Sequence, residues 1–88
     1  MNLMMIVHLK KSFESWKELF DNDPARSEFC DESKTMVGRV DDKTALLVLF
    51  DVDQVKMKSY LTSQLFADLV KDYVEKHDAY KLEELAPA

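Results

Sequence analysis

The sequence predicts an α+β domain with the element order β-α-β-β-α-β. Three observations carry this. Apolar runs at residues 3 to 10, 35 to 40 and 44 to 51 are too short for buried helices. Stretches beside them repeat apolar residues at spacings of three and four, the mark of an amphipathic helix. Between the second and third runs lies only Asp41-Asp42-Lys43, short and polar enough for a hairpin turn.

Residues 3 to 10, Leu-Met-Met-Ile-Val-His-Leu-Lys, pass from apolar to charged and make the first strand. Ser12 then offers an N-cap hydroxyl, Glu14 sits where the helix dipole favours an anion, and Phe13, Trp16, Leu19 and Phe20 share one face. Asn22-Asp23-Pro24 interrupts that helix. Asp23 caps and Pro24 opens a further helical turn to about Cys30, with Phe29 turned inward. The hairpin of residues 35–40 and 44–51 follows, with Gly38 marking a bulge or a close backbone approach. Asp53 is placed to cap a second helix bearing Met57, Tyr60 and Leu61 on one face. At Thr62-Ser63 a hydroxyl caps its continuation, which carries Leu65, Phe66, Leu69, Val70, Tyr73 and Val74 and ends at Lys76-His77-Asp78. Tyr80 and Leu82, alternating with Lys81 and Glu83, predict a closing edge strand that fades at Pro87.

With right-handed crossovers this order places both helices on one face of a four-stranded antiparallel sheet and the first and third strands at its centre. This is the ferredoxin-like plan, and it requires those two strands to be the most apolar. In the first, Leu3, Met5, Val7 and Leu9 oppose Met4, Ile6 and His8; in the third, Ala45, Leu47 and Leu49 oppose Leu46, Val48 and Phe50. A sheet covered on one side alternates apolar with polar. These strands do not, so something besides the helices covers the second face.

Composition narrows the function classes. The 88 residues fit one domain, residues 1–88, with 47% apolar and 33% charged side chains, five Phe, three Tyr and one Trp, too rich for a disordered chain. Folding at this length hides only about 60 to 65% of the unfolded chain's surface, so cover from a partner adds stability. The net charge of −5, from 17 acidic against 12 basic residues, argues against nucleic acid; Lys10-Lys11 is the nearest thing to a basic cluster. The lone Cys30 has no disulfide or zinc partner, which points to a reducing, cytoplasmic setting. Leu3 to Leu9 lacks the flanks of a signal peptide and falls far short of the roughly 20 residues of a membrane span, so no membrane role is expected.

The element order, the apolar second face, the capping Asp53, the broken helix at Leu61-Thr62-Ser63-Gln64-Leu65-Phe66 and the closing Tyr80-Lys81-Leu82 resemble the dimeric α+β barrel superfamily. The resemblance spans nearly the whole chain, though its motifs are diffuse. It implies a homodimer of ferredoxin-like subunits joined through their sheets, often with a small-molecule pocket between helices and sheet or within the barrel. Its members include cofactor-free monooxygenases, haem-degrading monooxygenases and muconolactone isomerases. The texture is also similar to small cyanobacterial proteins of this fold without an assigned role. The haem-degrading branch uses an Asn on the first strand, a Trp and a helical His. Asn2, Trp16 and His77 match in type, but Trp16 lies in the first helix and His77 at a helix end, so that site is not transferred.

Single residues carry candidate chemistry and an ordinary alternative side by side. His8, on a central strand, fits either a general base in a dry pocket or a strand-end histidine bonded to a neighbour. Arg39 either meets an anionic ligand or pairs with a carboxylate at the sheet edge. Cys30 is a nucleophile only through tertiary contacts and otherwise a buried thiol. Asp21, Asp23 and Glu32 copy three offsets of a calcium loop, but Arg26 stands where that loop needs glycine. Asp51 and Asp53 read as strand end and helix cap. His8 and His77 form no metal-binding pattern, and one glycine cannot build a phosphate loop. The RNA-recognition version of the plan fails for want of an aromatic on the first strand and of basic charge. No cofactor or metal is expected.

Two functions remain open. In the first, a homodimer binds a small, mostly apolar molecule, for sensing, regulation or cofactor-independent chemistry, in a pocket formed by His8, Trp16, Phe20 and Tyr60. In the second, a non-enzymatic assembly module has an interior filled by its own side chains and acts through its acidic surface. The first requires an enclosed cavity of about 300 Å³ or more near His8, Trp16 and Tyr60.

Overall fold

The computed structural model describes residues 1–85. Strand β1 (Asn2–Leu9) leads into helix α1 (Phe13–Asp21), two 3-10 turns (Pro24–Glu28 and Glu32–Lys34), the hairpin β2 (Met36–Asp41) and β3 (Thr44–Leu49), helices α2 (Gln54–Leu61) and α3 (Gln64–Val70), and strand β4 (Val74–Leu82). All strand pairs are antiparallel, in the order β2-β3-β1-β4. The architecture is therefore β-α-β-β-α-β with its second helix in two pieces.

Each helix begins where a short polar side chain takes up an orphan amide. Ser12 Oγ accepts from Ser15 N at 3.3 Å, Asp53 from Lys56 N at 3.1 Å and Ser63 from Phe66 N at 3.2 Å. Asp23 accepts from Ala25 N at 3.0 Å, and with Pro24 behind it this starts the first 3-10 turn.

The core lies between helices and sheet. Leu3, Met5, Val7 and Leu9 of β1 are buried together with Ala45, Leu47 and Leu49 of β3, and Trp16, Phe29, Cys30, Val52 and Val74 close over them. The alternate residues face the other way. Register sets Met4 opposite Val48 and Tyr80, Ile6 opposite Leu46, and Met36 opposite Val48, so one apolar strip crosses the helix-free face. Met36 and Tyr80 are exposed there, at 59% and 50%.

The last helix and last strand differ from the sequence-based expectation. The helix stops at Val70 rather than at Lys76-His77-Asp78, and those three residues belong to β4. The open edge of β1 explains this: β4 pairs with it from Leu9 back to Asn2, satisfying a row of backbone groups that a helix continued to Asp78 would leave bare. The spacing of Tyr73 and Val74 is local and yields to that ladder. The fading at Pro87 lies outside the described residues.

Gly38 marks neither a bulge nor a close approach. The irregularity falls between Arg39 and Asp41, and a Cβ on Gly38 would meet Leu46 Cβ at an ordinary 3.8 Å. The strained position is Asp51, with a φ of 55° just beyond β3. Asn2 Oδ1 accepts its amide at 3.1 Å, and Lys34 Nζ lies 3.1 Å from its carboxylate.

Candidate functional site

A cavity of about 70 Å³ lies between the helices and the sheet, lined by Met5 and Leu47 below, Trp16 and Phe20 from α1, and Tyr60 and Phe66 from α2 and α3. Its walls are mostly apolar, with a cluster of aromatic rings among aliphatic side chains. Trp16 and Phe20 approach to 5.2 Å between ring centroids; Phe29 stacks on Tyr60 at 5.7 Å, Tyr60 meets Phe66 edge-on at 5.0 Å, and Phe66 reaches His77 at 5.7 Å. The volume falls well short of the 300 Å³ or so of ordinary ligand sites. It admits a molecule of a few heavy atoms, and a larger guest requires α2 and α3 to move outward. Neither helix contains a fully buried residue, but Met57, Tyr60, Leu61 and Val70 pack half-buried against the core, and such a shift gives up part of that packing.

Polar groups enter the cavity at a few points. Tyr60 donates its hydroxyl to Asp23 Oδ2 at 2.7 Å. Burial, and then that hydrogen bond, push the phenol far above its ordinary pKa, so it stays protonated. Arg26, on the turn that Asp23 and Pro24 start, is buried at 8% exposure and donates to Phe20 O and Glu32 Oε1, each at 2.9 Å. On the sheet side, His77 stands opposite Val7 and faces the helices; burial lowers its pKa, which favours the neutral imidazole.

Of the residues expected to form a pocket, Trp16, Phe20 and Tyr60 come together around this cavity and His8 does not. On β1 the odd-numbered residues face the helices and the even-numbered ones face away, so His8 lies on the opposite side of the sheet. Its Nε2 is 2.8 Å from Asp78 Oδ2, with Lys76 Nζ 3.8 Å from the same oxygen. The hydrogen bond from His8 is the main reason the Asp78 carboxyl titrates below its usual range. Of the two readings of His8, the histidine bonded to a neighbour is the one observed.

Arg39 also lies outside the cavity, half-exposed and 3.8 Å from Asp42 Oδ1. Cys30 is buried, its thiol donating to Arg26 O at 3.3 Å, and burial raises its pKa, which opposes a nucleophilic role. The calcium-like carboxylates each have separate partners: Asp21 pairs with Lys17, Asp23 with Tyr60 and Glu32 with Arg26. Among the described residues no group of three or more His, Cys, Asp or Glu is placed to hold a metal, and no helix is long and apolar enough to cross a membrane.

Asp23, Arg26 and His77 line the cavity without having been singled out for it. A strand reading of residues 74 to 82 would not have found His77 by simple alternation, because the register shift at His8/Leu9 puts both Val74 and His77 on the helix side. Arg26 carried no signal except its place after Pro24.

No protein-family model and no curated protein sequence matches the chain. Two solved structures resemble it over nearly its full length. One is SnoaB, a cofactor-independent oxygenase from Streptomyces nogalater, with a TM-score of 0.66 and 9% identity over 99% of this chain and 96% of that one. The other is PA3566 from Pseudomonas aeruginosa, with a TM-score of 0.60 and 15% identity over 97% and 93%. Neither supports the narrower cyanobacterial likeness. At these identities the likeness is one of architecture: the chain has the ferredoxin-like α+β fold, with a four-stranded antiparallel sheet and its helices on one side.

Proposed function

We propose that the chain is a single-domain cytoplasmic protein that binds a small, mostly apolar molecule between its helices and its sheet, and that it does so as a homodimer. The observation that carries the binding reading is the apolar cavity, with Trp16, Phe20 and Tyr60 around it and the neutral imidazole of His77 in its wall. Convergent polar groups in an apolar cleft are the usual signature of a small-molecule site. SnoaB, similar in fold, is a cofactor-independent oxygenase. Since one fold hosts unrelated activities, that supports small-molecule chemistry only as one use of such a cavity.

The homodimer reading rests on the helix-free face, where Met4, Ile6, Leu46 and Val48 form an apolar strip ending in exposed Met36 and Tyr80. Soluble monomers seldom leave such a strip in water, and an isologous two-fold contact is the commonest way to cover it.

Trp16 is the only tryptophan and lines the cavity, so its fluorescence reports occupancy. Titration with a panel of aromatic and acyl compounds is expected to quench it saturably, with Tyr60→Ala changing the affinity. Absence of any saturable response across the panel refutes the reading. The modest cavity volume favours a second function, an assembly module with a filled interior. Native mass spectrometry of freshly isolated protein separates the two: a retained small molecule supports the first, and a bare subunit mass together with no quenching supports the second.

A further inference from the structure

Most polar side chains in the wall of this cavity are engaged within the chain. Tyr60 donates to Asp23 Oδ2, Asp23 Oδ1 accepts from the Ala25 amide, and Arg26 donates to the Phe20 carbonyl and to Glu32. His77 differs. It stands opposite Val7 on the helix side of β4, its ring 5.7 Å from that of Phe66, and both rings line the cavity. Burial alone acts on its titration, and among the described residues no hydrogen bond or charge engages the imidazole. The residue is half-buried and neither ring nitrogen is walled in completely, so a guest can reach the ring. An imidazole set into an apolar wall without a partner forgoes hydrogen bonds that a bound molecule can supply.

We infer that the cavity takes a small neutral hydroxyl compound, an apolar body with one O–H held against the His77 imidazole. A neutral imidazole presents one N–H and one bare nitrogen, and a hydroxyl meets either, donating to the bare nitrogen or accepting from the N–H, whereas a carbonyl meets the N–H only. Trp16 adds an indole N–H, a donor only, so the bare nitrogen is the acceptor that sets a hydroxyl apart. Charge excludes an anion: Asp23 and Glu32 together outweigh Arg26, and an uncharged imidazole adds nothing to offset them. The apolar body follows from Met5, Phe20, Leu47 and Phe66 around the space. This inference rests on the cavity reading above.

Four probes built on one ring test it: phenol, toluene, benzaldehyde and benzoate, titrated into the wild-type protein at about pH 8, above the ordinary 6.5 of histidine, while the ring nitrogens of both histidines are followed by nuclear magnetic resonance. Phenol is expected to bind about tenfold tighter than toluene, the worth of one net hydrogen bond, and tighter than benzaldehyde or benzoate. It shifts the His77 ring resonances saturably and leaves those of His8, on the far side of the sheet, in place. In His77→Phe the preference for phenol over toluene is lost while toluene binding persists. Equal binding of phenol and toluene, tightest binding of benzaldehyde or benzoate, or a phenol preference that leaves His77 unshifted overturns the hydroxyl assignment and leaves the cavity reading standing. If none of the four binds, the cavity reading falls and the assignment with it. The wild-type comparison decides the matter even if His77→Phe fails to fold.

Discussion

Ile6 and Val7 are neighbours in β1 with opposite roles. Val7 is fully buried beneath the helices, whereas Ile6 sits across from Leu46 and Asp78 on the helix-free face. Val7→Asp places an unpaired carboxylate in the core and is expected to cost roughly 3 to 5 kcal/mol, enough to unfold a domain of this size. Ile6→Asp is expected to keep the circular dichroism of the folded subunit and to abolish self-association. An Ile6→Asp variant that still runs as a dimer would refute the proposed interface.

His77 makes stability depend on pH. Burial holds its folded pKa below the ordinary 6.5, so the unfolded chain binds the proton more readily and stability falls as pH drops below about 6.5. Asp78, also held below its ordinary 3.8, acts in the same direction but only in more acid solution. His77→Phe is therefore expected to flatten the upper part of the acid limb in urea unfolding curves taken at several pH values, and to leave the lower part in place. An unchanged upper limb would exclude His77 as its source.

At the scale of elements, the broken second helix depends on its caps. Both α2 and α3 are short and meet the core only through half-buried side chains, so the caps at their ends add to what keeps them in place. Ser63 closes the break twice over, accepting from Phe66 N and donating to Tyr60 O at 2.6 Å. Ser63→Ala is expected to cost about 1 kcal/mol in chemical denaturation and to speed amide exchange in α3 more than in β1. Equal acceleration in both would mean that α3 does not open separately from the sheet. The same looseness is what would let a guest larger than 70 Å³ enter.

For the whole molecule, self-association is the property that the chain's small size and apolar strip both favour. Sedimentation equilibrium at micromolar protein is expected to report twice the 10.3 kDa subunit mass. A mass near 10.3 kDa would leave the strip across Met4, Ile6, Leu46 and Val48 exposed and would refute the homodimer.

By itself, the sequence determined what local chemistry dictates. Ser12, Asp53 and Ser63 cap their helices because a side-chain oxygen next to an orphan amide acts within one turn. The two-faced apolar character of β1 and β3 placed them at the centre of the sheet, because only strands covered on both sides carry such residues. Trp16, Phe20 and Tyr60 were legible as inward-facing for the same periodic reason. Tertiary structure decided the rest. The free edge of β1 turned residues 74 to 78 from helix into strand, and the register shift at His8/Leu9 sent His77 toward the helices. Strand parity put His8 on the far side of the sheet, and a 3-10 turn brought Arg26 into the cavity wall. These outcomes depend on partners distant in the chain: backbone pairing and burial are satisfied by whatever lies across the fold, which no local pattern records.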